Sequence, residues 1–265
     1  MPLDIDKLQQ LTEQFDQLMP GISLDCVVFG YKDQQLHVLL LKLMHAEAWA
    51  LPGGFLGREE TMEAAVGRVL KERTGLDQIF LTQFYTFSGL DRNWQANAAN
   101  QRIFEQVFSE LPPPLKDKLS AWLNQRFLSS GFLALVNAAA IEPAVDGFSD
   151  LCQWVPVSQL PLLVLDHQHI IETALSHLKA QINYLPIGRS LLPERFTMAD
   201  LQRLYETILQ KRLDRANFQR KVLKLNMLNR HEKHMTGAAN KAPYLYSFNI
   251  EAYQRLVQEG IGFSF

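Results

Sequence analysis

The chain has 265 residues, 20% of them charged, and a formal net charge of −2 at pH 7, which is the composition of a globular protein with one large or two medium domains. No run reaches the ~20 apolar residues that cross a bilayer, and the start (MPLDIDKLQQ) lacks a secretory pattern, so no membrane partner is expected. The two cysteines, Cys26 and Cys152, lie in apolar runs without metal spacing, which favours buried, reduced thiols and a cytoplasmic location.

The first part of the chain predicts a helix and then a hairpin. Apolar residues at helical spacing within residues 4–18 predict an amphipathic lead-in helix. Two strand-like runs, 23–31 and 36–43, flank a polar turn and predict a β-hairpin.

Residues 51–76 are the most informative stretch of the sequence. The pair Gly53-Gly54 breaks the chain, Thr61 predicts a helix N-cap, and Gly75 predicts the end of that helix. This layout of loop, helix and loop presents main-chain N–H groups and a helix N-terminus to an anion.

The same stretch resembles the Nudix box, G-x5-E-x7-R-E-U-x-E-E-x-G-U, in which U is a bulky apolar residue. The positions that match are Gly54, Glu60, Arg68, Leu70, Glu72, Gly75 and Leu76. Val69 and Arg73 stand where the family has glutamates that, with the one at position 72, hold the divalent ions that activate water. The resemblance thus implies a diphosphate pocket on an α/β/α sandwich.

Positions 69, 72 and 73 share one helix face, so the two replacements change its formal charge from −3 to zero. A single carboxylate beside an arginine should bind magnesium poorly, and hydrolysis then loses its activated water. We therefore predict no catalytic residue, no metal site and no required cofactor. Two interpretations of Arg73 stay open: a fork of donors for a phosphate, or a surface partner of Glu72.

The ligand site is expected to contain glycines, box residues and nearby arginines. Trp49 is included because in many Nudix proteins an aromatic residue near this point stacks on the nucleobase; the alternative is a half-buried core residue. Arg126 is a second candidate for the diphosphate, or else a strand-end surface charge. The predicted ligand-binding residues are Trp49, Gly53, Gly54, Arg58, Glu60, Arg68, Glu72, Arg73 and Arg126.

Beyond the box, residues 79–88, 127–141 and 151–157 predict further strands of a mixed sheet. Residues 89–93 predict an exposed loop, and the polar stretch 95–124 predicts an inserted helical or partly mobile excursion. From Asp166 the pattern becomes helical, and His167 and His169 are interpreted as helix-start or packing residues.

A short basic block lies in the last third of the chain. Residues 211–241 hold nine Lys or Arg and two acids, a net charge of +7, whereas the other residues carry −9. Such a local concentration of positive charge indicates an anionic partner.

The pattern around this block predicts a winged helix-turn-helix. Thr197 caps one helix, Asp214 caps a second, and a basic face on the second helix lies apart from its apolar stripe. Two extended arms around a Gly/Ala/Asn tip then form a wing, which would lie along phosphates while the second helix enters the major groove. The predicted DNA-binding residues are Arg215, Asn217, Arg220, Lys221, Lys224, Arg230, Lys233 and Lys241.

The segment 191–228, ahead of KAPYLYSF, resembles the winged-helix region of the Nudix-related transcriptional regulators of NAD metabolism, the NrtR family. That resemblance implies a homodimer on a palindromic operator of NAD biosynthesis or salvage genes, with ADP-ribose or a related dinucleotide as the ligand that lowers DNA affinity. The domains are expected at 1–160 (Nudix-like), 161–193 (connecting helix and linker) and 194–265 (winged helix). Two other functions remain open: an active ADP-ribose pyrophosphatase with an accessory domain, and a ligand-sensing adaptor that does not bind DNA.

Overall fold

The structure, a computed structural model, describes residues 5–75, 80–182, 187–234 and 242–261. The chain divides into two compact units. The first unit is Met1–Phe29, His37–Leu135 and Ala140–Ala174, and the second unit is Gly30–Leu36, Val136–Ala139 and Leu175–Phe265.

The first part of the chain, up to residue 181, contains both strands and helices. Its strands are β1 (Leu18–Lys32), β2 (Gln35–Leu43), β3 (Trp49–Ala50), β4 (Gly53–Gly57), β5 (Phe80–Phe87), β6 (Leu128–Val136) and β7 (Ser149–Pro156). Its helices are α1 (Ile5–Glu13), α2 (Met62–Thr74), α3 (Ala98–Val107), α4 (Pro113–Leu123) and α5 (His167–Gln181).

The seven strands form one sheet in the order β3-β2-β1-β6-β5, in which β4 also pairs with β1 and β7 with β2. The predicted hairpin is confirmed: β1 and β2 are neighbours, and Asp33 and Gln34 between them both have positive φ, the backbone of a tight two-residue hairpin turn. Residues 26–29, 38–41 and 133–135 of the central strands are buried, so the core lies around them.

The predicted excursion at 95–124 is helical and well packed. Phe104, Val107, Leu119 and Trp122 of α3 and α4 are buried, and they form a hydrophobic cluster with Leu8 of α1. The polar composition of this segment concealed these apolar positions, because helical spacing separates them in the sequence.

The last part of the chain contains three further helices and a small sheet. Its elements are β8 (Phe196–Thr197), α6 (Met198–Leu209), α7 (Arg215–Lys224), β9 (Leu228–Lys233), β10 (Tyr244–Phe248) and α8 (Ile250–Glu259). The three strands pair in the order β8-β10-β9, which gives the predicted wing. Leu191 and Leu192, in the stretch interpreted as a linker, are buried within the second unit. Helix α8 was not predicted.

Neither cysteine is paired: Cys26 is buried and Cys152 is half-buried. Burial raises the pKa of the Cys152 thiol to about 12, and it raises the pKa of Cys26 as well, so both thiols stay protonated at neutral pH. In the described ranges, no helix is both long and apolar enough to span a membrane.

Two glycines of the α2 segment should respond in opposite ways to the same substitution. Gly67 lies inside α2 with open space where a Cβ would be, so Gly67→Ala should stabilise the protein by about 0.5–1 kcal/mol. Gly75, which caps α2 with φ +71°, also has open space, but Gly75→Ala should destabilise by about 1–2 kcal/mol because alanine resists that conformation. Urea denaturation measures both; equal signs for the two variants would contradict the assignment of the cap.

Candidate ligand site and nucleic-acid interface

The first unit contains a cavity of about 920 Å³, within the range of small-molecule sites. Helix α1, the strands β1, β2 and β4, helix α2, and the loop after β5 all contribute to its walls. Its charged or titratable lining residues are Asp25, Glu60, Arg68, Glu72, Arg73, Arg92, Asp146 and His167.

Six of the nine predicted ligand residues line this cavity: Gly53, Gly54, Glu60, Arg68, Glu72 and Arg73. The other three are Trp49, Arg58 and Arg126, and they lie outside its lining. Trp49 pairs with Lys42 in the sheet, the Arg58 Nε donates to the Asp16 carbonyl, and Arg126 donates to the Ser88 carbonyl. The cavity therefore brings together the box residues but not the flanking ones.

The glycine pair lies in a strand, which corrects the prediction of a loop. Residues 53–57 form β4, and Gly53 and Gly54 pair with Asp25 and Leu24 of β1. A Cβ on Gly53 would lie 2.7 Å from the Leu24 carbonyl oxygen, and one on Gly54 would lie 2.9 Å from Val69. These glycines are required because strand and helix pack closely against them, not because the backbone is open to an anion.

The matched residues Glu60 and Arg68 bind each other. Arg68 donates from Nε and Nη2 to the two Glu60 oxygens at 3.1 and 3.0 Å, and Nη2 also donates to the Phe55 carbonyl. The Gly57 N–H donates to Glu60 as well. The hydrogen bonds from Arg68 lower the pKa of Glu60, so its carboxylate is charged at neutral pH and fixes the turn between β4 and α2.

The three residues on the helix face that holds metal in the Nudix pattern make contacts within the chain. Val69 is buried, and the Arg73 guanidinium donates to the Val145 carbonyl at 2.6 Å and to Glu72 at 3.2 Å. The Arg73 carbonyl also accepts from the Ala144 N–H, so this residue ties the 144–146 loop to α2. Within the described residues no cluster of three or more His, Cys, Asp or Glu could hold a metal ion.

A buried polar cluster, which we call the hub, lies at the cavity and was not predicted. The Arg92 guanidinium donates from Nε to both Asp166 oxygens at 2.8 Å and from Nη2 to Asp25 at 2.7 Å. The Ser129 hydroxyl donates to the same Asp25 oxygen, and His167 Nε2 lies 3.5 Å from the other. Arg92 is buried, so the expectation of a wholly exposed loop at 89–93 was wrong for this residue.

The protonation states of the hub follow from its geometry. Burial would raise the pKa of Asp25, but His167, Arg92 and Ser129 together lower it, so this carboxylate is charged. Burial lowers the pKa of His167, and the Leu51 N–H donates to its Nδ1 at 2.9 Å. The neutral ring therefore carries its proton on Nε2, facing Asp25.

One weak signal pointed to the hub: Asp25 is an acid inside an otherwise apolar strand run. The partners of Asp25 gave no such signal, because Arg92 and Asp166 lie 67 and 141 positions after Asp25 in the chain. The sequence favoured a helix-start or packing role for His167. It did not indicate that the His167 ring accepts a hydrogen bond from Leu51, at the start of the box.

In the second unit, the helix that the sequence predicts to enter the major groove is α7. Thr197 and Asp200 form a capping box at the start of α6, and the Asp214 side chain caps α7. Phe218 and Val222 of α7 are buried, whereas Arg215, Arg220 and Lys224 are exposed and Asn217 and Lys221 are partly so. Arg220 donates to Asn217 at 2.8 Å, which aligns two polar side chains on one face.

The wing carries two of its three predicted cations in described positions. Arg230 and Lys233 on β9 both lie over the Tyr244 ring of β10, at 4.7 and 5.6 Å. Lys241 lies outside the described residues. His231 of β9 is hydrogen-bonded to Ser247 of β10 at 2.8 Å.

Removing the Arg92 cation should strongly destabilise the fold. Arg92→Met leaves the Asp25 carboxylate buried without its charge partner, and we expect a loss of about 3–5 kcal/mol in the free energy of unfolding, measured by urea denaturation at pH 7. Adding Asp25→Asn to that variant should recover part of the loss. The control Arg58→Met removes an exposed guanidinium and should cost less than about 1 kcal/mol. Equal losses for the two single variants would contradict the role of the hub.

Comparison with known proteins identifies both units. Residues 19–174 match the NUDIX domain, and residues 188–248 match the NrtR DNA-binding winged helix domain. The "ADPR responsive transcriptional repressor NtrR" of Acinetobacter baylyi is 26% identical over 249 residues, which cover 91% of this chain and 87% of that protein.

Two crystal structures of Shewanella oneidensis NrtR are similar to most of this chain. The protein alone gives a TM-score of 0.63 at 26% identity, covering 88% of this chain and 96% of that one. Its complex with a 27mer DNA gives 0.62 at 25% identity, covering 88% and 95%. Since the NUDIX match spans more than half of the 265 residues and the winged-helix match follows it, the chain belongs to the NrtR family of NUDIX proteins that carry a DNA-binding winged helix.

Proposed function

We propose that this protein is a transcriptional repressor of NAD biosynthesis or salvage genes that responds to ADP-ribose. The observation that carries the proposal is the pairing, in one chain, of a NUDIX cavity with a winged helix whose α7 presents exposed cations. The similarity to a relative described as an ADPR responsive repressor supports the choice of ligand, and the similarity to a DNA complex supports the choice of partner.

The cavity is proposed to bind ADP-ribose without hydrolysing it. Val69 and Arg73 remove two carboxylates from the metal-holding face, and Arg73 places a fixed positive charge beside Glu72 instead. Arg68 and Arg73 both line the cavity and carry the positive charge that suits a diphosphate. Binding energy at such a site stabilises one conformation of the protein and performs no chemistry, because the face at 69, 72 and 73 lacks two of the carboxylates that hold the water-activating metal ions in the Nudix pattern.

On the DNA side, α7 is proposed to enter the major groove while Arg230 and Lys233 of the wing contact phosphates. A homodimer would place two such helices on half-sites of a palindrome about one helical turn apart. ADP-ribose then lowers DNA affinity by favouring an arrangement in which the helices no longer match the half-sites, and by reciprocity DNA lowers the affinity for ADP-ribose.

One observation favours a second function. Glu60 and Glu72, two carboxylates of the hydrolase pattern, still line the cavity beside Arg68. An ADP-ribose pyrophosphatase with an accessory winged helix would use them, and rapid magnesium-dependent hydrolysis of ADP-ribose would decide for it. The charge-neutral face at 69, 72 and 73 is the reason to prefer the repressor.

The proposed function predicts that ADP-ribose weakens operator binding. The operator is first selected from random double-stranded DNA with the full chain, and its dissociation constant is then measured as ADP-ribose is added. We expect a weakening of about 5- to 150-fold at saturation, the usual range of coupling between two sites. NAD serves as a control for ligand identity. Selection of no sequence from the random DNA, or an operator affinity that ADP-ribose leaves constant, would remove the proposal.

Cations on α7 should determine both the affinity and its salt dependence. Arg220 and Lys224 are exposed on α7, and replacing both by alanine should weaken operator binding at least about tenfold and reduce the slope of log K against log salt by about 2 if both contact phosphates. The control removes the same charge from the first unit, at Arg102 and Lys118 of α3 and α4. A similar loss in the control would mean that net charge, and not α7, drives binding.

A further inference from the structure

Part of the cavity wall is apolar and only partly covered. The hydrophobic cluster of α1, α3 and α4 has nine partly buried apolar side chains packed against it, and all of them except Leu115 line the cavity. Apolar surface facing water inside a concave site is unfavourable, and an apolar ligand group that covers it releases that cost. We call this end of the cavity the apolar compartment. Because its lining is apolar, it favours an apolar ligand group over a diphosphate.

Three of these side chains are aromatic: Phe55, Trp94 and Phe148. Each is supported by other rings, and the supporting rings hold them in place. Trp94 contacts Phe104 of α3, and Phe148 contacts Phe108, with ring centroids 5.8 and 5.7 Å apart. Rings held in this way offer a rigid surface for stacking, which favours a planar aromatic group over a flexible aliphatic one.

Phe55 connects this compartment to the charged end of the cavity. Its carbonyl accepts a hydrogen bond from Arg68, while its ring lies 5.8 Å from that of Trp122 in α4. A ligand that fills both ends of the cavity would therefore carry an anion at Arg68 and an aromatic group in the compartment. A nucleotide has this composition: a phosphate chain joined through a sugar to a planar base.

We propose that the apolar compartment binds the heteroaromatic base of a nucleotide, and that Trp94 is the residue that sets this specificity. The identity of the rest of the ligand rests on the proposed function; the base-binding role of Trp94 does not. Phe104 of α3 supports the Trp94 ring, and Trp122 of α4 supports the Phe55 ring. The proposal therefore gives the 98–123 segment a function in ligand recognition. Trp49, by contrast, lies outside the cavity lining and pairs within the sheet.

The test compares ligands with and without a base on matched variants of the full chain. AMP, ADP-ribose and ribose 5-phosphate are titrated by calorimetry against the wild type, Trp94→Leu, Trp94→Phe and the control Trp49→Leu. Leucine keeps an apolar side chain but removes the ring, and the measured quantity is the ratio of AMP to ribose 5-phosphate affinity, which a partial loss of folded protein does not change.

We expect Trp94→Leu to lose AMP and ADP-ribose affinity by roughly tenfold or more, the effect of removing one base-stacking ring. Ribose 5-phosphate affinity should stay unchanged, Trp94→Phe should retain most of the AMP affinity, and Trp49→Leu should behave as the wild type. The proposal is overturned if the wild type does not bind AMP, if Trp94→Leu leaves the affinity ratio unchanged, or if Trp49→Leu carries the loss. A wild type that prefers AMP to ribose 5-phosphate through Trp94 but keeps its operator affinity in ADP-ribose would remove the proposed function alone.

Discussion

The burial of the Arg92 guanidinium between Asp25 and Asp166 is the constraint on which the geometry of the ligand cavity depends. The Arg92 side chain is 4% exposed, and it holds a strand, a loop and the residue before α5 within hydrogen-bond distance of one another. A buried ion pair contributes little net stability, but leaving either charge alone is costly. Any arrangement of these segments that separates the three side chains is therefore disfavoured.

Arg73 illustrates the same principle on the box helix. The family pattern gathers negative charge there and neutralises it with divalent ions, whereas here the chain neutralises Glu72 with its own guanidinium. That guanidinium also holds the Val145 carbonyl, so the positive charge fixes a loop that lines the cavity. A cation supplied by a side chain can attract a phosphate, but it cannot lower the pKa of a bound water as a metal does. Under the proposed function, this replacement keeps the positive charge that binds a phosphate and removes the carboxylates that hydrolysis requires.

The sequence was sufficient to predict the features that depend only on residues close to one another along the chain. The hairpin, the caps at Thr61, Thr197 and Asp214, and the wing all follow from periodicity and capping residues within a few positions. The hub and the apolar compartment could not be predicted, because their members come from segments brought together only by the sheet and by the 98–123 helices. The glycine pair was misread for the same reason: its need for glycine arises from Leu24 and Val69, not from its own turn.

For a ligand in the cavity to alter DNA affinity, it must bind two arrangements of the chain with different strengths. His167, which lines the cavity, is the first residue of α5, and the later residues of that same helix belong to the second unit. Its ring accepts from Leu51 and faces Asp25, so moving it leaves buried polar groups unpaired. Because a displaced His167 loses both of these contacts, the hub fixes the position at which α5 begins, and a ligand that shifted this residue would have to compensate for their loss.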